Sequence, residues 1–506
     1  MSSSSTVTRF FVAAAVICMA ALATAANCDT VAVRFFSDGS LVLAQRAVPA
    51  GMAPAEAAVR ALVAGPTQDE AARGLSSMIP AGTSVVQLAI NADSAEIDLS
   101  PEVLSGLDEA ALAGIFDQFK STLGDFPLIT SVRLTCGGQP LASYLPAAPQ
   151  VGQPASLEPR VSGVGLSGKK ICVGPSHGRF WNGSGWYWQR SDPCGFGEAV
   201  LEDTNSIRLV QYLKQYLVQD GAIFTSPRQL DESDCCNSDT GLAWWKMCAQ
   251  TWLHHIGAPC SVWASYSGNC GADTAVSRSS DDIRARPLYA NNQGADIYIA
   301  HHTNAGGGGT ATGTETYRDT AMEHPEYETA SYNLATAVQN AVVSTIRSTF
   351  PEEPSWANRG VKDSAGGFGE IRIPSRPAIL IELAFHDDCS RDALYLKDDF
   401  FRSVAEWGIY KGICDYFGNT PTWDKYSDEY VSDTIPTTML VGETRNVSVT
   451  FRNRGVCWQS SRGFKLGAVG DSDPFTSTTR VNVSGTIKPG STYTFNFTLT
   501  APATPG

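Results

Sequence analysis

Two stretches of this chain are apolar or aromatic at every position: Ile297-Tyr298-Ile299-Ala300 and Ala378-Ile379-Leu380-Ile381. Successive side chains of a strand point to opposite faces, so a strand with no polar face has to be covered on both sides. Residues 328–348, between the two runs, have the length and spacing of a helix. The same alternation continues on either side. Lys170-Ile171-Cys172-Val173 reads as a strand, and residues 203–218 read as a helix with Ile207, Leu209, Val210, Leu213 and Leu217 on its apolar side. Residues 400–416 form a further helix-like run. Strands alternating with helices over 169–418 predict an α/β region built on a mostly parallel sheet. Such sheets carry their chemistry at the carboxyl ends of the strands.

A chain of 506 residues has room for more than this region. Upstream, residues 28–144 give a smaller α/β pattern: strand-like runs at Val31-Ala32-Val33-Arg34-Phe35-Phe36, Val85-Val86-Gln87-Leu88-Ala89-Ile90 and Ala95-Glu96-Ile97-Asp98-Leu99, with helical spacing over 54–64 and 107–123. Residues 145–168 are rich in Pro, Gly, Ser and Ala without periodicity and read as a linker. Residues 420–506 are polar, strand-rich and punctuated by turns such as Lys488-Pro489-Gly490, the pattern of a β-sandwich. The expected fold class is therefore multidomain: a small α/β domain, a larger α/β domain with a mostly parallel sheet, and a C-terminal β-sandwich.

The N-terminus carries Arg9, an apolar run from Phe10, and the small-residue site Ala23-Thr24-Ala25, so residues 1–26 read as a signal peptide. Export would place the chain outside the cytoplasm, in the cell envelope or secreted. The cysteines agree. Thirteen are present, and an even number remains once Cys18 leaves with the signal, which points to disulfides. Cys28 and Cys136 stand at opposite ends of the first domain and are expected to be bonded. The net charge of −14 argues against a nucleic-acid partner, because phosphate binding wants a basic surface.

Four residues in the middle region carry candidate chemistry: His177 after the first strand, Glu202 heading a helix, His302 after a buried strand, and Glu382 inside one. A carboxylate in an apolar strand is costly unless it is paired or used. Two histidines and a carboxylate are a common catalytic zinc set with one position left for water, and a further carboxylate can take that water's proton. Of the neighbours His301 and His302, only one can face a metal if the strand continues through them. Glu198 competes with Glu202, although the apolar spacing that follows fits Glu202 better.

Several ordered segments give these residues a context. They are Val173-Gly174-Pro175-Ser176-His177-Gly178, Arg228-Gln229-Leu230-Asp231, Arg286-Pro287-Leu288-Tyr289-Ala290-Asn291, His302-Thr303-Asn304-Ala305, Gly313-Thr314-Glu315-Thr316-Tyr317, Arg359-Gly360-Val361-Lys362 and Pro377-Ala378-Ile379-Leu380-Ile381-Glu382. Together they resemble the zinc-dependent N-acetylmuramoyl-L-alanine amidases of the Amidase_3 type. The resemblance implies that His177, Glu202 and His302 hold Zn2+, that Glu382 is the general base, and that peptidoglycan is the substrate, cut between N-acetylmuramic acid and L-alanine. It selects His302 over His301. The first loop departs from the family's Asp-Pro-Gly-His-Gly. An insertion at about 232–280 is also unusual, with cysteines at 235, 236, 248, 260 and 270 and Trp244, Trp245, Trp252 and Trp263. It is expected to be a disulfide-stapled lobe around a tryptophan core, with an aromatic wall beside the cleft as the alternative. Most of its cysteines are expected to be oxidised.

The first domain resembles the GerMN domain of sporulation and germination proteins through Ala61-Leu62-Val63-Ala64-Gly65-Pro66-Thr67, Ile79-Pro80-Ala81-Gly82-Thr83, Ala95-Glu96-Ile97-Asp98-Leu99-Ser100 and Ser131-Val132-Arg133-Leu134. That resemblance implies scaffolding or binding and brings no catalytic residue. The last region resembles Ig-like domains of the four-tryptophan (FW) type at Asn453-Arg454-Gly455, Trp458 and Gly463-Phe464-Lys465-Leu466; a further strand would be expected past Gly506. A protein partner for either flanking domain fits these resemblances. Two other readings stay open: another zinc peptidase of the cell wall, or an inactive wall-binding protein.

Overall fold

The structure, a computed structural model, describes residues 30–157, 163–270, 278–306 and 308–504. The expected signal segment and Cys28 lie outside the described residues. Cys136 is buried at the end of its strand.

The described residues open with a hairpin, β1 (Thr30–Ser37) against β2 (Ser40–Ala47). Its two-residue turn is Asp38-Gly39, both at positive φ, the pairing that matches the twist of the flanking strands. Helix α1 (Pro54–Val63) begins with proline, whose missing N–H costs nothing at a first turn. Strands β3 (Val85–Ile90) and β4 (Ser94–Leu99) pair antiparallel. Helix α2 (Glu109–Leu123) is capped by the Asp108 carboxylate, which accepts from the Ala111 N–H at 2.7 Å. Leu112, Ile115, Phe116, Phe119 and Leu123 form its buried stripe. Strand β5 (Ser131–Cys136) lies parallel to β4.

The larger region supplies β6 (Lys170–Pro175), α3 (Glu202–Gln219), β7 (Ile223–Thr225), α4 (Arg278–Gln293), β8 (Ile297–Asn304), β9 (Thr314–Arg318), α5 (Glu328–Thr349), β10 (Asn358–Asp363), α6 (Gly369–Arg372), β11 (Ala378–Phe385) and α7 (Asp399–Phe417). Every residue of β8 and β11 is buried, and the runs 297–300 and 378–381 within them have no polar face and so require cover on both sides. The strands run β7-β6-β8-β11-β9-β10-β5-β4-β3, part of one ten-stranded sheet. Most neighbouring pairs are parallel; β9 runs against β11 and β3 against β4. The two α/β regions therefore share a sheet. The junction is narrow, a pairing of Asp363 with Ser131.

Two cores cover the sheet. One packs α3, α5 and α7 against the strands through residues such as Leu213, Val342, Phe401 and Ile381. The other is common to both regions: Phe116, Phe119 and Leu134 belong to the same cluster as Tyr298, Ala300 and Leu380. Buried charge joins the regions as well. Glu109 of α2 accepts from Arg284 Nε at 2.9 Å and from Arg372 Nη2 at 2.6 Å, and all three side chains are buried. The linker expectation over 145–168 meets a chain that packs: Leu145, Val151 and Leu166 are buried.

The C-terminal strands form two small sheets. In one, β13 (Thr444–Asn453) is central, between β12 (Asp428–Asp433) and β16 (Thr492–Thr500); in the other, β14 (Lys465–Gly467) pairs with β15 (Arg480–Asn482). Trp458, Val483 and Phe495 are buried between them. In the insertion, Trp244, Trp245 and Trp263 are buried, and Trp244 stacks on His255 with ring centroids 3.7 Å apart. Disulfides join Cys194 to Cys389, Cys235 to Cys236 and Cys260 to Cys270, while Cys248 is a buried thiol. No helix among the described residues is long and apolar enough to cross a membrane.

Candidate functional site

The site forms where β6, β8 and β11 lie side by side. His177 sits two residues past Pro175, the last residue of β6, with φ at 28°. That is a strained conformation for a non-glycine residue, of the kind that costs about 1–3 kcal/mol and persists only when its surroundings hold it. The surroundings are specific. Arg228, fully buried, donates to the carbonyls of Ser176, Asp203 and Met247. Gly178 donates to Asp203 Oδ1 at 2.8 Å, and a Cβ there would meet Arg228, Met247 and Cys248 at 2.8 Å, so glycine is required.

Glu202 is the first residue of α3, where a carboxylate gains from the helix dipole. Its Oε1 lies 2.9 Å from His302 Nδ1 and 3.5 Å from His177 Nε2, and its Oε2 lies 3.3 Å from Arg190 Nε. Burial opposes its charge, but His177, the His302 hydrogen bond and Arg190 hold its pKa well below the usual range. Glu198 instead lies in a short turn and pairs with Lys246, away from this group.

The alternation along β8 separates the two neighbouring histidines. His301 Nε2 meets Glu406 of α7 at 2.8 Å on one face of the sheet. His302, on the other face, is held between Glu202 and Glu370, whose Oε1 lies 3.0 Å from its Nε2. Glu370 is fixed in turn by Arg286 and by the Tyr298 hydroxyl, which donates to it at 3.0 Å. Burial works against a charged imidazole, but Glu370 and Glu202 raise the pKa of His302 to about 9. Glu382 is the register partner of His302 across the β8–β11 pair. Burial pushes its carboxyl up to about 7, against Lys120 and His302, which favour the charged form.

The donor atoms of His177, Glu202 and His302 all lie within 4.8 Å of one another. Both ring nitrogens of His177 are buried without a hydrogen-bond partner. Buried polar atoms are otherwise nearly always satisfied, so an orphaned imidazole facing a carboxylate and a second imidazole is a donor set that suits a divalent metal such as zinc. The group lines a cleft of about 350 Å³ together with Glu370, Glu382 and Arg190. The first domain, expected to bring no catalytic residue, supplies a wall of the cleft: Gly39, Ser40 and Leu41 at the hairpin tip, and Asp117, Lys120 and Ser121 from α2. None of the four insertion tryptophans is among the residues lining it.

Sequence reasoning missed Lys120, Arg190 and Glu370. Glu370 left a faint signal, since it and Arg372 are the charged residues of the otherwise apolar run 366–374. Lys120 left none, since nothing in a helix's own periodicity names a partner 262 residues away.

Fold and site together define an α/β protein with a buried His-Glu-His donor group and a buried glutamate beside it. Residues 266–415 match the family model described as N-acetylmuramoyl-L-alanine amidase, and residues 33–142 match one described as sporulation and spore germination. The chain thus carries an amidase domain of the first family and a GerMN-like domain of the second. The amidase match takes in His302, Glu370 and Glu382 and begins after His177 and Glu202. Among curated proteins, the chain is 30% identical over 150 residues to N-acetylmuramoyl-L-alanine amidase LytC of Bacillus subtilis (strain 168), covering 29% of this chain and 27% of that protein. It is 34% identical over 139 residues to a sporulation-specific N-acetylmuramoyl-L-alanine amidase of the same organism, covering 27% and 47%. The matches thus span less than half the length of these relatives. Among solved structures, an N-acetylmuramoyl-L-alanine amidase from Clostridium difficile 630 aligns with TM-score 0.30 and 19% identity, over 50% of this chain and 97% of that one. The first GerMN domain of the sporulation protein GerM from Bacillus subtilis aligns with TM-score 0.20 and 24% identity, over 22% and 84%.

Proposed function

We propose that this chain is an exported zinc amidase that hydrolyses the bond between N-acetylmuramic acid and L-alanine in peptidoglycan. One observation carries the reading: the donor atoms of His177, Glu202 and His302 gather within 4.8 Å of one another beside Glu382. The match of residues 266–415 to the amidase family, and the amidase names of the relatives, support the choice of substrate. Residues 28–144, 169–418 and 420–506 are then the GerMN-like, catalytic and C-terminal units, with peptidoglycan as the partner that matters.

His177, Glu202 and His302 would hold the metal. Bound there, zinc would supply Lewis-acid chemistry, polarising the scissile carbonyl and acidifying the attacking water. The remaining steps belong to the chain. Glu382, buried and raised to about 7, is poised to accept the water's proton at neutral pH and to return it to the leaving alanine nitrogen. Glu370 holds the imidazole of His302 from behind through Nε2, which leaves Nδ1 toward Glu202. The surrounding walls limit the water that reaches Glu382, which is 6% exposed.

Digestion of purified peptidoglycan, followed by mass analysis, tests the reading. Intact stem peptides with free N-terminal L-alanine are expected, and the glycan strands should stay uncut. Free amino acids would instead identify a carboxypeptidase, and new reducing sugar ends a glycosidase.

A further inference from the structure

The cleft has a second wall, and one residue of it touches the proposed base. Lys120 Nζ of α2 lies 3.3 Å from Glu382 Oε1. Asp117, one turn earlier on the same helix, holds that ammonium at 3.4 Å. The rings of Tyr317 and Phe368 lie against it, with centroids 5.4 and 5.2 Å away. The Lys120 side chain is only 11% exposed. Its position is therefore set from several sides. The two oxygens of Glu382 differ in consequence: Oε1 is bound by Lys120, whereas Oε2 is buried with no hydrogen-bond partner.

The helix that carries Lys120 is built into the catalytic region. Glu109 lies in the buried pair of Arg284 and Arg372. Phe116 packs edge-on against Phe368, ring centroids 4.9 Å apart. The Ala110 N–H donates to Ser280 Oγ at 3.2 Å. A wall fixed by a shared core and a buried ion cluster is a lasting part of the cleft.

We propose that Lys120, from the N-terminal unit, is a positioning residue for the amidase reaction: it binds Oε1 of Glu382, so fixes the carboxylate in place, and leaves Oε2 unpaired as the proton acceptor. The inference rests on the reading of Glu382 as general base. In the reaction the carbonyl carbon gains a bond to the water oxygen and loses its bond to nitrogen. The water's proton passes to Oε2 and then to the departing nitrogen, while Lys120 keeps its own protons throughout. Two parts of the chain that resemble separate families thus complete one active site.

The test is steady-state kinetics of the full chain on a soluble N-acetylmuramoyl-L-alanine muropeptide, with zinc content measured alongside. A misplacement of about 1 Å costs a rate on the order of 10²-fold. Lys120→Met should therefore lower kcat by about 10- to 100-fold, with KM and zinc content close to those of the wild type. Lys120→Arg should recover most of the loss, because it restores the cation. If Lys120→Met does not fold, Lys120→Gln reads the same effect. An unchanged or raised kcat in these variants overturns the proposal, the latter by making the pair an inhibitory clamp. A loss confined to KM also overturns it, by moving Lys120 to substrate binding. Those results leave the amidase reading standing. A wild-type chain that releases no stem peptide overturns that reading, and this inference with it.

Discussion

The N-terminal and C-terminal units both pack on the catalytic region, but on different terms. The N-terminal unit extends the sheet, shares a core with β8 and β11, and buries Glu109 between two arginines. The C-terminal unit lies behind the sheet. Val456 and Cys457 join the core that covers α3 and α7, and Tyr216 donates to the carbonyls of Ser403 and Gly455. Its surface pairs, such as Glu429 with Arg452 and Arg454, are partly exposed. Among the described residues, the first unit lines the proposed site and the second does not. Proximity to an enzyme domain is therefore a poor guide to a role in the reaction. What distinguishes the two units is whether a side chain of theirs meets the reacting groups.

Substitutions can break or sharpen this contrast. The largest effect belongs to the proposed donor group itself. His302→Ala should abolish zinc binding and activity together, since it removes one of three proposed donors; full metal occupancy in the variant, read by elemental analysis, would exclude His302 as a ligand. Next comes pH. With Glu382 raised to about 7, chiefly by burial, its carboxyl is protonated below that value and cannot accept a proton. In saturating zinc, kcat/KM should fall about tenfold per unit on the acid side. A bound dication favours the carboxylate and moves this limb to lower pH, and a limb left unchanged in Glu382→Gln would exclude Glu382 as its source.

Glu109→Gln probes how firmly the N-terminal wall is held. Removing one partner of a buried ion cluster costs about 3–5 kcal/mol, which denaturant unfolding would register as a lower midpoint. Burial alone would raise the Glu109 pKa, but Arg372 and Arg284 reverse that and hold it below its usual value. Its contribution to stability should be complete above about pH 4.3, the ordinary value for glutamate, and should disappear as pH falls through the depressed folded value. The smallest effect belongs to the C-terminal unit. Glu429→Ala removes two partly exposed pairs, each worth under about 1 kcal/mol, and should leave turnover unchanged. A loss of activity there would contradict the contrast.

Much of this molecule was legible in its residues, for identifiable reasons. The runs at 297–300 and 378–381 have no polar face, and strands without one can only be interior. The period-2 rule separates His301 from His302, and the two do lie on opposite faces, one against Glu406 and the other against Glu202. The helix expected at 107–123 forms over Glu109–Leu123, beginning where Asp108 caps it. Relations between units were not legible. The pairing of Asp363 with Ser131 and the meeting of Lys120 with Glu382 depend on how two separately patterned regions dock, and no local periodicity records that. The aromatic wall considered for the insertion did not form at the cleft. Trp244 stacks on His255 and Trp263 lies against His254 within the insertion, while Trp245 joins the core that covers the sheet.

In the proposed mechanism a metal held by three side chains works with Glu382 as a separate proton acceptor. Glu382→Gln tests it most directly, because the change is nearly isosteric and the amide cannot take the proton. Zinc content and turnover should be measured on the same preparation. Full zinc occupancy is expected, with turnover lower by about 10²–10⁴-fold, the loss typical of a missing general base. Near-normal turnover with zinc bound would contradict it, and loss of zinc would make Glu382 a ligand rather than the base.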